Sequence, residues 1–133
     1  MRWLVFIALL VFSVSACAGE DEAYEQYALG GRYLVGEGVP QDERQAVALF
    51  RKASDQGLAI AQYYLSRCYA GGKGVVQDEA EAYFWIVVAA RGGDKFILDY
   101  RDELSNKLTR MQIGEIERRA AAWKPVVPAI APK

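Results

Sequence analysis

A chain without histidine has few routes to covalent chemistry, and none occurs among these 133 residues. The nucleophile candidates reduce to two cysteines, Cys17 and Cys68, and a few serines. No Ser-His, Cys-His or His-metal arrangement can be assembled, so neither thiol has an imidazole to take its proton. The Ser-x-x-Lys pattern of penicillin-recognising enzymes is also missing: Ser54 leads to Gly57, Ser66 to Tyr69 and Ser105 to Leu108. Gly36-Glu37-Gly38 and Gly71-Gly72-Lys73-Gly74 are glycine-rich, but neither carries the rest of a phosphate loop. Paired carboxylates remain, since a glycosidase needs two of them flanking a cleft. Glu20, Asp21 and Glu22 read better as a solvated lead-in, and Asp42, near Glu37, as a helix cap. These residues point away from an enzyme, with no cofactor and no metal site expected.

The elements that would position such groups are written twice. Tyr33, Gly36, Gly38, Val39, Asp42, Ala46, Ala53 and Gly57 return as Tyr69, Gly72, Gly74, Val75, Asp78, Ala82, Ala89 and Gly93. Positions 33 and 69, like 57 and 93, differ by 36, and a period of that size means stacked supersecondary units. Each unit holds two helical segments. Gln26, Leu29, Gly30 and Tyr33 share one face of the first at i, i+3, i+4, i+7. Gly36 to Gln41 breaks that helix, and Asp42 with Gln45, like Asp78 with Glu81, has capping-box spacing for the next. The second helix carries Ala46, Phe50 and Ala53 inward, repeated as Ala82, Ile86 and Ala89. After Gly93 the copy fades. Ile97, Tyr100, Leu104 and Leu108 still form a stripe, and Thr109 with Gln112 opens a last helix carrying Ile113, Ile116, Ala120 and Trp123. A diverged end is expected where the last face of a stack meets water.

The run Leu29, Tyr33, Gly36-Glu37-Gly38-Val39, Asp42, Ala46, Phe50, Ala53, Gly57 resembles the Sel-one-like repeat, a relative of the tetratricopeptide repeat. The second copy, from Ala61-Gln62-Tyr63 through Tyr69, Gly72-Lys73-Gly74-Val75 and Asp78 to Ala89, is closer still. It departs at Ser66 for Gly30, Val76 for Pro40 and Ile86 for Phe50. Leu108 to Trp123 is similar to the C-terminal cap of many bacterial members. The resemblance implies an all-α fold, an α-solenoid of antiparallel helix pairs with a concave and a convex face. It also implies the family's usual work as adaptor or scaffold proteins, many of them exported by bacteria, that hold partners in signalling or envelope complexes. The expected organisation is a signal segment over 1–16, a lead-in over 17–21, and repeats over 22–57 and 58–93. Capping helices over 94–124 and a flexible tail over 125–133 complete it.

The leader fixes the expected address. Arg2 precedes an apolar run from Trp3 to Phe12, then small residues up to Gly19, which is the pattern of a secretory signal. Val14-Ser15-Ala16-Cys17 resembles a bacterial lipobox, in which Cys17 becomes the acylated first residue; two acyl chains suffice for stable anchoring. Ala16-Cys17-Ala18 also fits a small-x-small cleavage site that would discard Cys17, and an uncleaved anchor is the third alternative. Export to the bacterial cell envelope is expected in every case: the periplasm, with a lipid anchor favouring the outer membrane over the inner. Either cut leaves Cys68 unpaired, reading as a small helix residue in the slot that holds Arg32 in the first copy.

A net charge of −1 with interspersed signs gives no footprint for nucleic acid, so contact with a membrane is expected through the lipid alone. The partner is then an unidentified protein, with room for a homodimer through an exposed end. Positions that differ between copies on the first helices, Ala28/Tyr64, Gly31/Arg67 and Arg32/Cys68, are the candidate contacts. Tyr64, Arg67 and Arg32 stand out, because Tyr and Arg are enriched among interface anchors. The reading is a non-enzymatic interaction or scaffold module. Its rival is a protein that binds or hydrolyses cell wall, with peptidoglycan or a β-lactam as ligand.

Overall fold

In the computed structural model of the chain, residues 2–126 are described, and side chains from residue 19 onward. The leader side chains, Cys17 among them, and residues 127–133 of the expected tail lie outside the described part. Six α-helices follow in order: α1 (Arg2–Val35), α2 (Glu43–Asp55), α3 (Ala59–Gly71), α4 (Glu79–Ala89), α5 (Lys95–Ser105) and α6 (Arg110–Ala122). A 3-10 turn, Ala90–Gly92, closes α4, and no strand occurs among the described residues. The first helix of repeat 1 is therefore the distal part of a longer α1. Helices α1 and α2 pack as one hairpin and α3 and α4 as the next, with α2 against α3 between them and α4 against α5 and α6.

The repeated residues build the same corner twice. Gly36 (φ 75°) and Gly72 (φ 66°) end α1 and α3 in the left-handed region, which glycine enters without steric cost. The side chain of Gln41 then donates to Leu34 O (3.1 Å), as Gln77 does to Ala70 O (3.0 Å). The caps that follow differ from the expected reciprocal box. Asp42 and Asp78 accept from the backbone N–H of Gln45 (3.1 Å) and Glu81 (3.0 Å), which is half of it. The other half is pre-empted: the Asp42 N–H donates to Tyr33 O and the Asp78 N–H to Tyr69 O, each at 2.9 Å. Only at Thr109 and Gln112, where no corner supplies that carbonyl, are both bonds present.

Inside each hairpin the expected alanines are fully covered. Ala46, Phe50 and Ala53 are 0% exposed, and Ala82, Ile86 and Ala89 at most 1%. The departures of the second copy form a matched exchange. A Cβ added at Gly30 would sit 2.8 Å from the Phe50 ring and 3.3 Å from Ala46 O. Where Ile86 replaces Phe50, Ser66 has the space for a side chain, and its hydroxyl donates to Ala82 O at 2.5 Å. The ring fills one copy and the hydroxyl the other.

One residue of the face shared by Gln26, Leu29, Gly30 and Tyr33 is open to water. Leu29 is 37% exposed, whereas its counterpart Leu65 is 0% exposed. The cause is position in the stack. The α3 side bearing Leu65 is covered by α2, as Ala61 meeting Ala53 shows, but nothing described precedes α1. The same uncovered row holds Glu25 and Arg32, in the slots of buried Ala61 and Cys68. Charge at those slots keeps the terminal face wet.

At the other end the chain is tied back sooner than a free tail from Pro125 would be. The Val126 N–H donates to Asp55 O at 2.7 Å, and Pro125 lies beside Gly57. Arg91 holds the end of α6 through Trp123 O (3.0 Å) and Ala120 O.

Candidate partner-binding site

Tyr64 and Arg67 come together in one cleft of about 490 Å³ on the side formed by the first-type helices. Leu34 of α1 closes one wall, Tyr100 of α5 another, and Lys73 in the α3–α4 corner stands at the mouth. The floor is α3 itself, at Cys68, Ala70 and Gly71. Arg32, the third candidate contact, is exposed on the uncovered row of α1 and does not line the cleft. Its difference from Cys68 reflects an end of the stack, where a charge replaces a buried thiol.

Tyr64 is fixed by other rings. It stacks on Phe50 at 5.6 Å between centroids, lies 5.6 Å from Tyr27 and meets Tyr63 edge-on at 5.3 Å. Tyr63 in turn touches Tyr100 (5.4 Å) and Phe96 (5.1 Å), while Tyr27 touches Tyr24 (5.7 Å). An aromatic run thus crosses α1, α3 and α5 and emerges at both ends, with Tyr24 59% and Phe96 62% exposed. Rings held on several sides lose little freedom when a partner arrives, which favours binding.

The charge in the cleft is positive. Arg67 is exposed with its guanidinium 5.8 Å from the Tyr63 ring centre, and Lys73 is exposed beyond it. Neither joins any of the ion pairs among the described residues. Cys68 is no nucleophile here. It is 2% exposed, and burial pushes its thiol up to about 11, against the opposing pull of Lys73 and Arg67. Burial also raises the Tyr100 phenol, so it stays a neutral donor at physiological pH.

Tyr100 and Lys73 were not singled out as contacts from the sequence. Tyr100 carried a signal all the same: it follows Tyr64 by one more period, so α5 continues the first-helix register. Ile97 and Leu104, both buried, likewise continue Ala61 and Cys68. A second, wider hollow of about 630 Å³ lies between the two corners, bounded by Asp42, Glu43, Gly72 and Gly74. There the copies touch: a Cβ on Gly74 would come within 2.3 Å of Glu43 O, and its φ is 70°. That hollow is a joint between repeats. Among the described residues, no group of acidic, cysteine or histidine side chains could hold a metal ion. Over residues 19–126, no helical stretch is long and apolar enough to cross a membrane.

The Sel1 repeat profile matches the chain twice, over residues 26–58 and 59–94. The crystal structure of c5321, a protective antigen of uropathogenic Escherichia coli strains displaying an SLR fold, is similar at a TM-score of 0.69 and 33% identity. That similarity covers 82% of this chain, which spans only 24% of the c5321 chain. A Sel1 repeat protein from Oxalobacter formigenes superimposes with a TM-score of 0.60 at 30% identity, covering 86% of this chain and 89% of that one. No curated protein sequence matches. With two profile matches spanning more than half its length on an all-α repeat solenoid, the chain belongs to the Sel1 repeat family.

Proposed function

We infer that this protein is a non-enzymatic scaffold of the bacterial cell envelope, which holds a partner protein on the concave face of a short solenoid. The observation that carries this reading is the cleft at Tyr64, Arg67 and Tyr100, where pre-fixed rings and unpaired cations meet on the first-helix side. Sel1 repeats are helical modules that typically mediate protein–protein contact, which supports a protein as the ligand class. The apolar leader and the Val14-Ser15-Ala16-Cys17 string support export and acylation of Cys17. Two tethers, one lipid and one protein, would then hold a partner near a membrane.

The test is crosslinking in intact cells, with a photoreactive phenylalanine at position 64 or 100 and, as control, at exposed Lys52 on α2. A discrete protein adduct from positions 64 and 100, absent from 52, is the expected result. No adduct from either cleft position would end the reading. A Cys17→Ser variant should leave the membrane fraction; unchanged partitioning would remove the lipid tether and leave the cleft untouched.

A further inference from the structure

The cleft has a chemical preference of its own, resting on the interaction reading above and going beyond it. Its two charged side chains, Arg67 and Lys73, are both cations, and no carboxylate lines it. Two acids outside the lining act on it: Glu103 raises the Tyr100 phenol from the next turn of α5, and Glu43 raises the Cys68 thiol from α2. The end of a helix ordinarily repels anions through its free carbonyls. At the C-terminal end of α3 three of the last four carbonyls are occupied: Cys68 O accepts from the N–H of Gly72 and of Lys73, Tyr69 O from the Asp78 N–H, and Ala70 O from Gln77. The same bonds use the backbone N–H groups of Gly72 and Lys73, two of the donors a phosphate nest at this corner would need. An anion must therefore be met by side chains alone, in a space walled by Leu34, Tyr64 and Tyr100. Planar carboxylates suit a guanidinium fork, and flanking apolar side chains suit the walls.

We propose that the cleft binds an acidic peptide segment of the partner, a carboxylate side chain pairing with Arg67 and Lys73 while a neighbouring apolar side chain packs between Tyr64 and Tyr100. The complex should weaken with salt, because both cations are exposed.

The experiment is an NMR titration of the isotope-labelled protein with blocked hexapeptides bearing two central glutamates between leucine and phenylalanine. The matched peptides carry glutamine or lysine at the central positions. Shifts centred on Tyr64, Arg67 and Tyr100 with the glutamate peptide, weaker with glutamine and absent with lysine, are expected. Arg67→Gln and Lys73→Gln should each weaken binding by roughly threefold to fivefold, whereas Lys52→Gln should not. All three side chains are exposed, so the variants keep the fold and their amide spectra verify it. Equal shifts from the three peptides, no shifts in the cleft, or shifts as large from inorganic phosphate alone would overturn the proposal. If the peptides fail while crosslinking at position 64 still captures a protein, the acidic preference is wrong and the interaction reading stands. If crosslinking fails too, both fall.

Discussion

At the scale of single residues, the most informative exchange is Gly30 with Phe50 for Ser66 with Ile86. Each substitution is visible in the sequence by itself. Their coupling is not, because the partners lie twenty residues apart on different helices and meet only when the hairpin closes. The geometry makes the coupling testable. Gly30→Ser alone should cost roughly 1–3 kcal/mol, since the new Cβ enters the Phe50 ring. Gly30→Ser with Phe50→Ile should regain stability over Gly30→Ser alone, by rebuilding the second copy's hydroxyl-to-carbonyl bond inside the first. Urea denaturation of the single and double variants checks this; equal costs would mean the two positions do not share one space. Tyr64 is a similar lesson for the site. Its type and its variation between copies marked it, but the rings that fix it come from α1 and α2 and are placed only by folding.

At the scale of helices, the period carried most of the fold because the repeated residues are those that terminate and restart helices. Tyr33, Gly36, Gln41 and Asp42 each serve a corner bond or a corner turn, so their recurrence locates the α1–α2 and α3–α4 corners. A period cannot say which copy is terminal, so it leaves the burial of Leu29 unread. Leu29 and Leu65 occupy one slot with opposite surroundings, one 37% and the other 0% exposed. Leu65→Ala should therefore cost about 2–5 kcal/mol, while Leu29→Ala stays below about 1 kcal/mol. Thermal melts of the pair measure it, and similar losses would place a covering element over α1. Tyr100 reads from the sequence as part of a helix stripe and not as a contact for the opposite reason. The glycine corners that advertise a copy are gone after Gly93, so a first-type helix continues under a sequence that looks unrelated.

At the scale of the whole molecule, two copies leave two raw ends, and the chain treats them differently. The α1 end is left wet by Glu25 and Arg32, whereas the α6 end is closed by covalent continuation, Arg91 gripping Trp123 O and Val126 bonding Asp55 O. Arg91→Ala should loosen this closure, lowering stability by about 1–2 kcal/mol. Hydrogen exchange at the Val126 amide should quicken in the same variant; unaltered protection there would show that Arg91 does not hold the segment. The closing segment reaches back past the second copy to the first, and Asp55 and Gly57, where it lands, belong to the last copy but one. That sets a direction for growth. An array lengthened by gene duplication or by design keeps its closure only if new units enter between the apolar leader and residue 22, with Glu25 and Arg32 changed to the small residues of an internal copy. Units appended after Ala122 would sever the tie, so the protein can be elongated from one side alone.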